Sequence, residues 1–133
     1  MPDAHHRSSP KLTPQHSELL VLSVLAEAPS YGYAIAKHIT ARSADAFKLP
    51  PSQLYPLMTR LEKQGLVAPS WEEVRSQSRA DASDDDAPGR RRKWYKLSAK
   101  GRKRLAQRVE AHRRFTALID AFIPTEAQQG AAS

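Results

Sequence analysis

The pattern of hydrophobic and polar positions predicts helices through the first half of the chain. Residues 15–28 are apolar on nearly every side, so we expect this helix to be buried on more than one face. Thr13 and Pro14 before it are typical of an N-cap followed by a first helical position. Residues 31–42 carry a narrower apolar stripe with basic residues opposite, and Ser30 is the expected cap of this second helix.

A third helix is predicted over residues 50–64, opened by two prolines and a serine. Its leucines face inward and its polar groups face outward, as expected for a helix that covers a core. Pro56 lies close to the first turn, where a missing N–H costs little. Gly65 follows the helix at the position where a left-handed C-terminal cap is expected. Leu66, the next residue, is expected to face inward like the leucines of the helix.

The second half begins with two predicted strands, residues 66–73 and residues 91–97, which together make a hairpin. Residues 74–88 between them are polar, acidic and rich in turn-forming residues, which indicates a flexible loop. We expect Trp71 and Trp94 to pair across the two strands. The alternative is that these two rings form a stacking platform for an aromatic ligand.

The order of elements is therefore α-α-α-β-β-α, which predicts a mainly helical fold with a small β-hairpin. A reading helix followed by a basic hairpin is typical of a winged helix-turn-helix, here extended by a long C-terminal dimerisation helix. We divide the chain into a disordered N-terminal arm (1–12), a DNA-binding domain (13–97), the dimerisation helix (98–124, capped by Ser98) and a disordered tail (125–133).

The final helix carries an apolar seam with alternating spacings of four and three residues, which is typical of a coiled coil. A helix of this length cannot pack wholly on so small a domain, so we expect part of the seam to contact a second copy. The alternative is a monomer in which this helix folds back on the first one. The expected dimer interface on this helix comprises Leu105, Val109, His112, Phe115, Thr116, Ile119, Phe122 and Ile123.

Composition points to a polyanionic partner. The 133 residues fit one domain, and the net charge is +7. Residues 90–114 hold twelve of the twenty-one Lys and Arg residues and a single acid, Glu110, whereas residues 72–86 hold six acids. The positive charge is thus concentrated on the second strand of the hairpin and on the final helix.

Several classes of function find no support in the chain. There is no cysteine, which excludes disulfides and thiolate catalysis and fits a reducing compartment. No apolar run approaches the ~20 residues of a membrane span, and the N-terminus lacks the core of a signal peptide, so we expect a cytoplasmic protein without a membrane partner. The five histidines share no metal-ligand spacing and no catalytic motif is present, so we expect neither an enzyme nor a cofactor.

The outward side chains of the second and third helices and the basic run of the hairpin are the candidate DNA contacts. Serine, glutamine and arginine can bond phosphates or base edges, and a run of four cations repels itself and so calls for an anionic partner. At the base of a hairpin, alternate members of such a run point to opposite faces. A merely solvated polar face is the alternative. The candidates are Lys37, Ser52, Gln53, Tyr55, Arg60, Arg90, Arg91, Arg92 and Lys93.

The chain resembles the PadR family of bacterial transcriptional regulators. The resemblance lies in LLVLSVLAEAPSYGYAIAKHI (19–39), LPPSQLYPLMTRLEKQGLV (49–67) and GRRRKWYKLSAKGRKRL (89–105). It implies a homodimeric repressor whose final helix exchanges contacts with the partner's first helix, which adds Leu19 and Leu22 to the expected dimer interface. It also implies that Tyr33 and Tyr55 lie near the backbone of a palindromic double-stranded DNA site, that residues 90–93 reach the flanking groove, and that a small aromatic effector relieves binding.

Three departures from the family pattern bear on these expectations. Ser52 and Gln53 stand where Gly-Thr is common, which affects base preference. The hairpin loop is long and acidic, and the final helix has no tryptophan for stacking against a drug. Two other functions stay open at this point: a winged-helix module that docks a protein partner without DNA, and a protein that binds an aromatic ligand.

Overall fold

A computed structural model describes residues 10–73 and 91–125 of the chain, and the described part is a small helical domain with a three-stranded antiparallel sheet. This confirms the predicted winged helix fold and adds a short strand to it. The elements in chain order are α1 (Pro14–Glu27), β1 (Ser30–Tyr31), α2 (Gly32–Arg42), α3 (Pro51–Lys63), β2 (Val67–Glu73), β3 (Arg91–Leu97) and α4 (Ala99–Asp120).

The predicted helix boundaries are set by local capping. The Thr13 hydroxyl accepts a hydrogen bond from the backbone N–H of His16 at 3.1 Å, which satisfies one of the unpaired donors of the first turn. Ser98 does the same for the backbone N–H of Gly101 at 2.9 Å. Gly65 adopts φ = 74° after α3, in the left-handed region that favours glycine. The expected caps of the first and last helices and the expected stop of the third are therefore confirmed.

The start of α2 corrects one prediction. Ser30 does not cap this helix; it lies in β1 opposite Tyr95, and Tyr31 lies opposite Trp94. Tyr31 is the N-cap residue and makes no side-chain capping bond. The strand has only two residues, too few for an alternating pattern, so only the approach of β3 in the folded chain creates it.

The hydrophobic core lies between the first three helices and the sheet. Helix α3 contributes the face opposite its exposed polar side chains, and Leu66 continues that face after the helix ends, as the leucine pattern predicted. Each such side chain stabilises the fold by about 1.5–3 kcal/mol relative to its exposed state. The most completely buried side chains are Val21, Leu22, Leu25, Ile35, Leu54, Met58, Leu61 and Leu66.

Helix α4 has two halves with different surroundings. Its first half packs against α1, where Glu18, only 4% exposed, accepts hydrogen bonds from Arg108 at 2.6 Å and from Arg104 at 3.4 Å. A buried carboxylate needs such partners because an unpaired charge is costly in the interior. From residue 110 to residue 125 every residue is exposed. The part of α4 that is buried against the rest of the chain is thus its first half.

Gly101 allows the start of α4 to lie directly against the sheet. A Cβ built at this position would clash with the carbonyl oxygen of Leu66 and would approach Leu97 Cδ1 to 2.7 Å. The same Leu66 carbonyl accepts a hydrogen bond from the backbone N–H of Ser98 at 3.0 Å. This close approach of backbones sets how α4 leaves the winged domain.

Some expectations concern residues beyond those that the structure describes. The arm over residues 1–12, the acidic loop over residues 74–88 and the tail over residues 125–133 fall wholly or largely outside 10–73 and 91–125. Within those two ranges, no helix combines the length and hydropathy needed to cross a membrane.

Candidate nucleic-acid interface

The exposed face of α3 carries the side chains predicted to read DNA. Ser52, Gln53, Tyr55 and Arg60 are all exposed, whereas the other side of the helix is buried in the core. The first two residues lie in the first turn, where backbone N–H groups without intrahelical partners favour an anion. Arg60 lies in the last turn, so it is placed to reach a different part of a bound duplex from Ser52.

A cleft of about 450 Å³ between α2 and the start of α3 brings three further candidates together. Tyr33, Lys37 and Tyr55 all line it. The Lys37 ammonium lies 5.9 Å from the centroid of the Tyr33 ring, within the range of a cation–π contact. Residues that are far apart in sequence thus converge on the side of the domain from which α3 presents its polar face.

The position of the Tyr55 ring depends on Gly32, a contact that sequence reasoning missed. A Cβ at Gly32 would lie 2.9 Å from Tyr55 Cε1 and 3.3 Å from its hydroxyl oxygen. The only signal in the sequence was the Gly-Tyr pair within the resemblance to the PadR family. Gly32 therefore acts as a positioning residue for Tyr55, because its missing side chain leaves the space that the ring occupies.

The strand register of the hairpin, which we call the wing, corrects the position of the basic run. Trp71 pairs with Lys93, Glu72 with Arg92 and Glu73 with Arg91. The run therefore lies at the end of the wing that leads into the connecting segment, and not at its base, where Val67 and Leu97 pair. Its first member, residue 90, lies outside the described residues.

The register also separates the two tryptophans, which we expected to pair. Trp71 lies opposite Lys93, whereas Trp94 lies opposite Ser70, and adjacent residues of a strand point to opposite faces. Trp94 packs edge-on against Tyr31 with ring centroids 5.2 Å apart. The predicted pair is wrong, and so is the joint stacking platform, because one ring lies on each face of the sheet.

The basic side chains divide between the two faces as the alternation predicted. Arg91 and Lys93 flank the ring of Trp71, with the guanidinium carbon at 4.9 Å and the ammonium at 5.5 Å from its centroid. Arg92 lies on the other face, 4.2 Å from the centroid of Tyr31. Each cation is thus held against an aromatic face, which limits its conformations before any ligand binds.

An ion pair joins the wing to the end of α3. Lys93 Nζ lies 2.8 Å from Glu62 Oε1, and both side chains are about one-third exposed. The hydrogen bond from Lys93 to Glu62 is the main cause of a raised Lys93 pKa, so the ammonium stays charged. Sequence reasoning assigned Lys93 to DNA and gave Glu62 no role, because no local pattern shows which carboxylate a wing lysine meets.

The family of this protein is shown by its sequence, and the geometry described above is consistent with it. The model of the PadR-like transcriptional regulator family matches residues 21–107. The chain belongs to that family. Members of the PadR family are transcriptional regulators that bind DNA and are not enzymes, so this chain is a DNA-binding regulator.

Individual proteins are similar to this PadR family member in sequence or in fold. A PadR family transcription regulator from Clostridium difficile is 25% identical with a TM-score of 0.59, covering 80% of this chain and 97% of that one. A transcriptional regulator from Clostridium thermocellum shares the fold, with a TM-score of 0.66 and 24% identity over 83% of this chain and 95% of that one. An uncharacterised protein from Lysinibacillus sphaericus is 29% identical over 81% of this chain and 88% of its own length.

The side chains predicted to form a dimer interface in this PadR-like regulator divide into three groups. Leu22 is fully buried in the core of its own chain. It therefore has no surface with which to contact a partner, and the prediction that it belongs to the dimer interface is wrong. Leu19, Leu105 and Val109 are partly buried, and the ring of His112 lies 6.0 Å from that of His16 on α1. The third group is exposed: Phe115, Thr116 and Ile119 on α4, and Phe122 and Ile123 just beyond its end.

Proposed function

We propose that this regulator is a dimeric repressor that binds a pseudo-palindromic operator, at its own and neighbouring promoters, and is released by a small-molecule effector. The observation that carries the DNA-binding mode is a single cleft of about 300 Å³ with Tyr55 and Thr59 of α3 on one wall and Arg91 and Lys93 of the wing on the other. A helix that reads a major groove and a basic wing that holds the adjacent backbone need this side-by-side placement.

The side chains of this interface differ in the DNA groups that they can bind. Gln53 in the first turn of α3 can donate and accept at a base edge, whereas Arg60 and Arg91 suit phosphates. Since each phosphate contact releases counterions, affinity would fall steeply as salt is added. The net charge of +7 favours the same partner.

The dimer is supported by exposed apolar side chains near and just beyond the end of α4. Phe122 is 86% exposed and Phe115 is 66% exposed in the single chain, and contiguous apolar surface of this kind marks an association site. A two-fold dimer would place its two reading helices about 34–36 Å apart, one turn of B-DNA. Bound across a promoter, such a dimer would block transcription.

An effector site is supported by a cavity of about 310 Å³ between the N-terminal segment, α1 and α4. Its walls are mostly apolar, and His16 and His112 supply polar groups, which is the usual composition of a small-molecule site. A compound bound there would contact α4 and could alter the distance between the two α3 helices of the dimer.

Fluorescence anisotropy tests the proposal most directly. The purified protein would be titrated onto its own upstream promoter DNA and onto a scrambled duplex, each at two salt concentrations. We expect selective binding to the promoter that weakens with salt. Equal weak binding to both duplexes would argue against autoregulation and favour a winged helix that docks a protein partner.

A further inference from the structure

We propose that Trp71 and Arg91 of the wing, together with Tyr55 of α3, clamp the sugar–phosphate backbone of one DNA strand between wing and reading helix. This inference rests on the proposed function and deepens it, since it assigns a backbone-binding role to an aromatic residue. Trp71 is 52% exposed, although burying an indole is strongly favourable. Because so much of this ring is exposed in the single chain, we expect a binding partner to cover it.

The placement of Trp71 indicates which partner. It lines the cleft of about 300 Å³ whose other wall carries Tyr55 and Thr59. Arg91 and Lys93, on the same face of the sheet, lie against its ring at 4.9 Å and 5.5 Å. An aromatic ring bracketed by cations beside a reading helix suits a strand that is anionic at its phosphates and apolar at its sugars.

Arg91 is the cation best placed to hold the phosphate. Lys93 is already paired with Glu62 at 2.8 Å, which offsets its charge. A guanidinium in contact with an aromatic face keeps N–H groups in its own plane that can match the oxygens of a phosphate. The Trp71 indole N–H is a further donor, and its ring can cover the adjacent deoxyribose.

The ligand class is thus a DNA backbone of any sequence, which separates this clamp from base readout. Losing Trp71 should weaken promoter and scrambled DNA equally, because phosphate and sugar contacts carry no sequence information. It should leave the salt dependence unchanged, since the indole is uncharged. Losing Arg91 should lower the slope of log affinity against log salt by about one.

The experiment uses the full chain with Trp94→Phe, which leaves Trp71 as its sole tryptophan. The indole nitrogen of Trp94 is buried and has no hydrogen-bond partner among the described residues, so phenylalanine removes no such bond. A mixed-sequence duplex is then added at low salt. We expect quenching of the Trp71 emission and protection from acrylamide, both of which reverse when salt dissociates the complex.

Matched variants then measure the contribution of each group by anisotropy. Trp71→Ala should bind about tenfold more weakly at an unchanged salt slope, the effect of one charge-assisted hydrogen bond and its apolar contact. Arg91→Ala is compared with Lys96→Ala, which removes the same charge from an exposed position on the same strand. A larger loss for Arg91→Ala than for Lys96→Ala would support the clamp.

The outcomes separate the clamp from the proposed function. If the unaltered chain binds no duplex at low salt, the proposed function and the clamp both fail. If it binds DNA but the Trp71 emission is unchanged and Trp71→Ala binds as tightly as the parent, only the clamp is overturned. Should Trp71→Ala fold poorly, the acrylamide protection of Trp71 in the Trp94→Phe protein decides the question.

Discussion

Replacing Gly101 with alanine is expected to destabilise the protein, although the same change in an ordinary helix would stabilise it. Gly101 is buried in the first turn of α4. Its Cα faces the Leu66 carbonyl so closely that an added Cβ would clash with this backbone oxygen, and Leu97 Cδ1 would lie 2.7 Å away. A side-chain methyl group can rotate aside, but the Leu66 carbonyl cannot.

The magnitude follows from two opposing effects. Alanine favours a helix over glycine by about 1 kcal/mol. Forcing a methyl group into a packed interior costs about 1–3 kcal/mol and sometimes more, and this position lies at the upper end because the Leu66 carbonyl is also held by the Ser98 N–H at 3.0 Å. We therefore expect a net loss of about 2 kcal/mol, which lowers Tm by about 6–10 °C for a domain of this size.

Thermal unfolding followed by circular dichroism measures this loss, with all variants at one protein concentration because association shifts Tm. Lys100→Ala is the matched control, since it alters the neighbouring exposed residue of the same turn; its Tm should change by no more than a few degrees. A Tm of Gly101→Ala that equals or exceeds that of the wild type would refute the reasoning, because helix propensity would then outweigh the clash.

Three further changes test other parts of the structure. Gly32→Ala should displace the Tyr55 ring, since its Cβ would lie 2.9 Å from Cε1, and so weaken DNA binding in an anisotropy titration. Glu62→Gln removes the partner of Lys93 and should lower stability by at most about 1 kcal/mol at this partly exposed site. Because the pair raises the Lys93 pKa above 10.5, the contribution of the pair to urea-unfolding stability should be complete from neutral pH up to about pH 10 and should vanish as pH rises through the raised value. Phe122→Asp should convert a dimer into a monomer in sedimentation velocity, since this ring is 86% exposed in the single chain.

Each of these changes has a control or an opposing result. Unaltered DNA affinity in Gly32→Ala would show that the Tyr55 ring position does not matter for binding. Glu110→Gln removes the same charge from an exposed site, so an equal effect of both glutamines would point to net charge and not to the wing contact. Ala106→Asp adds the same charge to an exposed position in the first half of α4. If this variant also lost the dimer, the loss in Phe122→Asp would no longer indicate that Phe122 lies in the interface.

Much of the fold could be predicted because it depends on local chemistry. The caps at Thr13 and Ser98 and the left-handed Gly65 act within a few residues, so the helix boundaries they set are visible in the chain. The alternation of residues 91–97 likewise predicted which wing cations share a face. For α3, the helical period of its leucines predicted which side would be buried and which side would remain exposed.

The candidate site was predicted in its members but not in its geometry. Ser52, Gln53, Tyr55 and Arg60 lie on the exposed face of α3 and Arg91 is exposed, whereas Arg92 and Lys93 are partly buried. Neither Glu62 as the partner of Lys93 nor the contact of Gly32 with the Tyr55 ring could be inferred. Both are contacts between elements, and no periodicity along one element encodes its neighbour. Assigning Leu22 to a dimer interface failed for a related reason: a helix that is apolar on all sides does not say which side faces its own core.

The sequence by itself determined the type and the approximate bounds of the main elements, the placement of positive charge and the polar face of α3, since these follow from propensity, capping and period. Only the tertiary structure decided the pairing of β1 with β3, the separation of Trp71 from Trp94 onto opposite faces and the close approach of Gly101 to Leu66. Those features depend on strand register and interatomic distance, which form only when segments distant in the chain pack together.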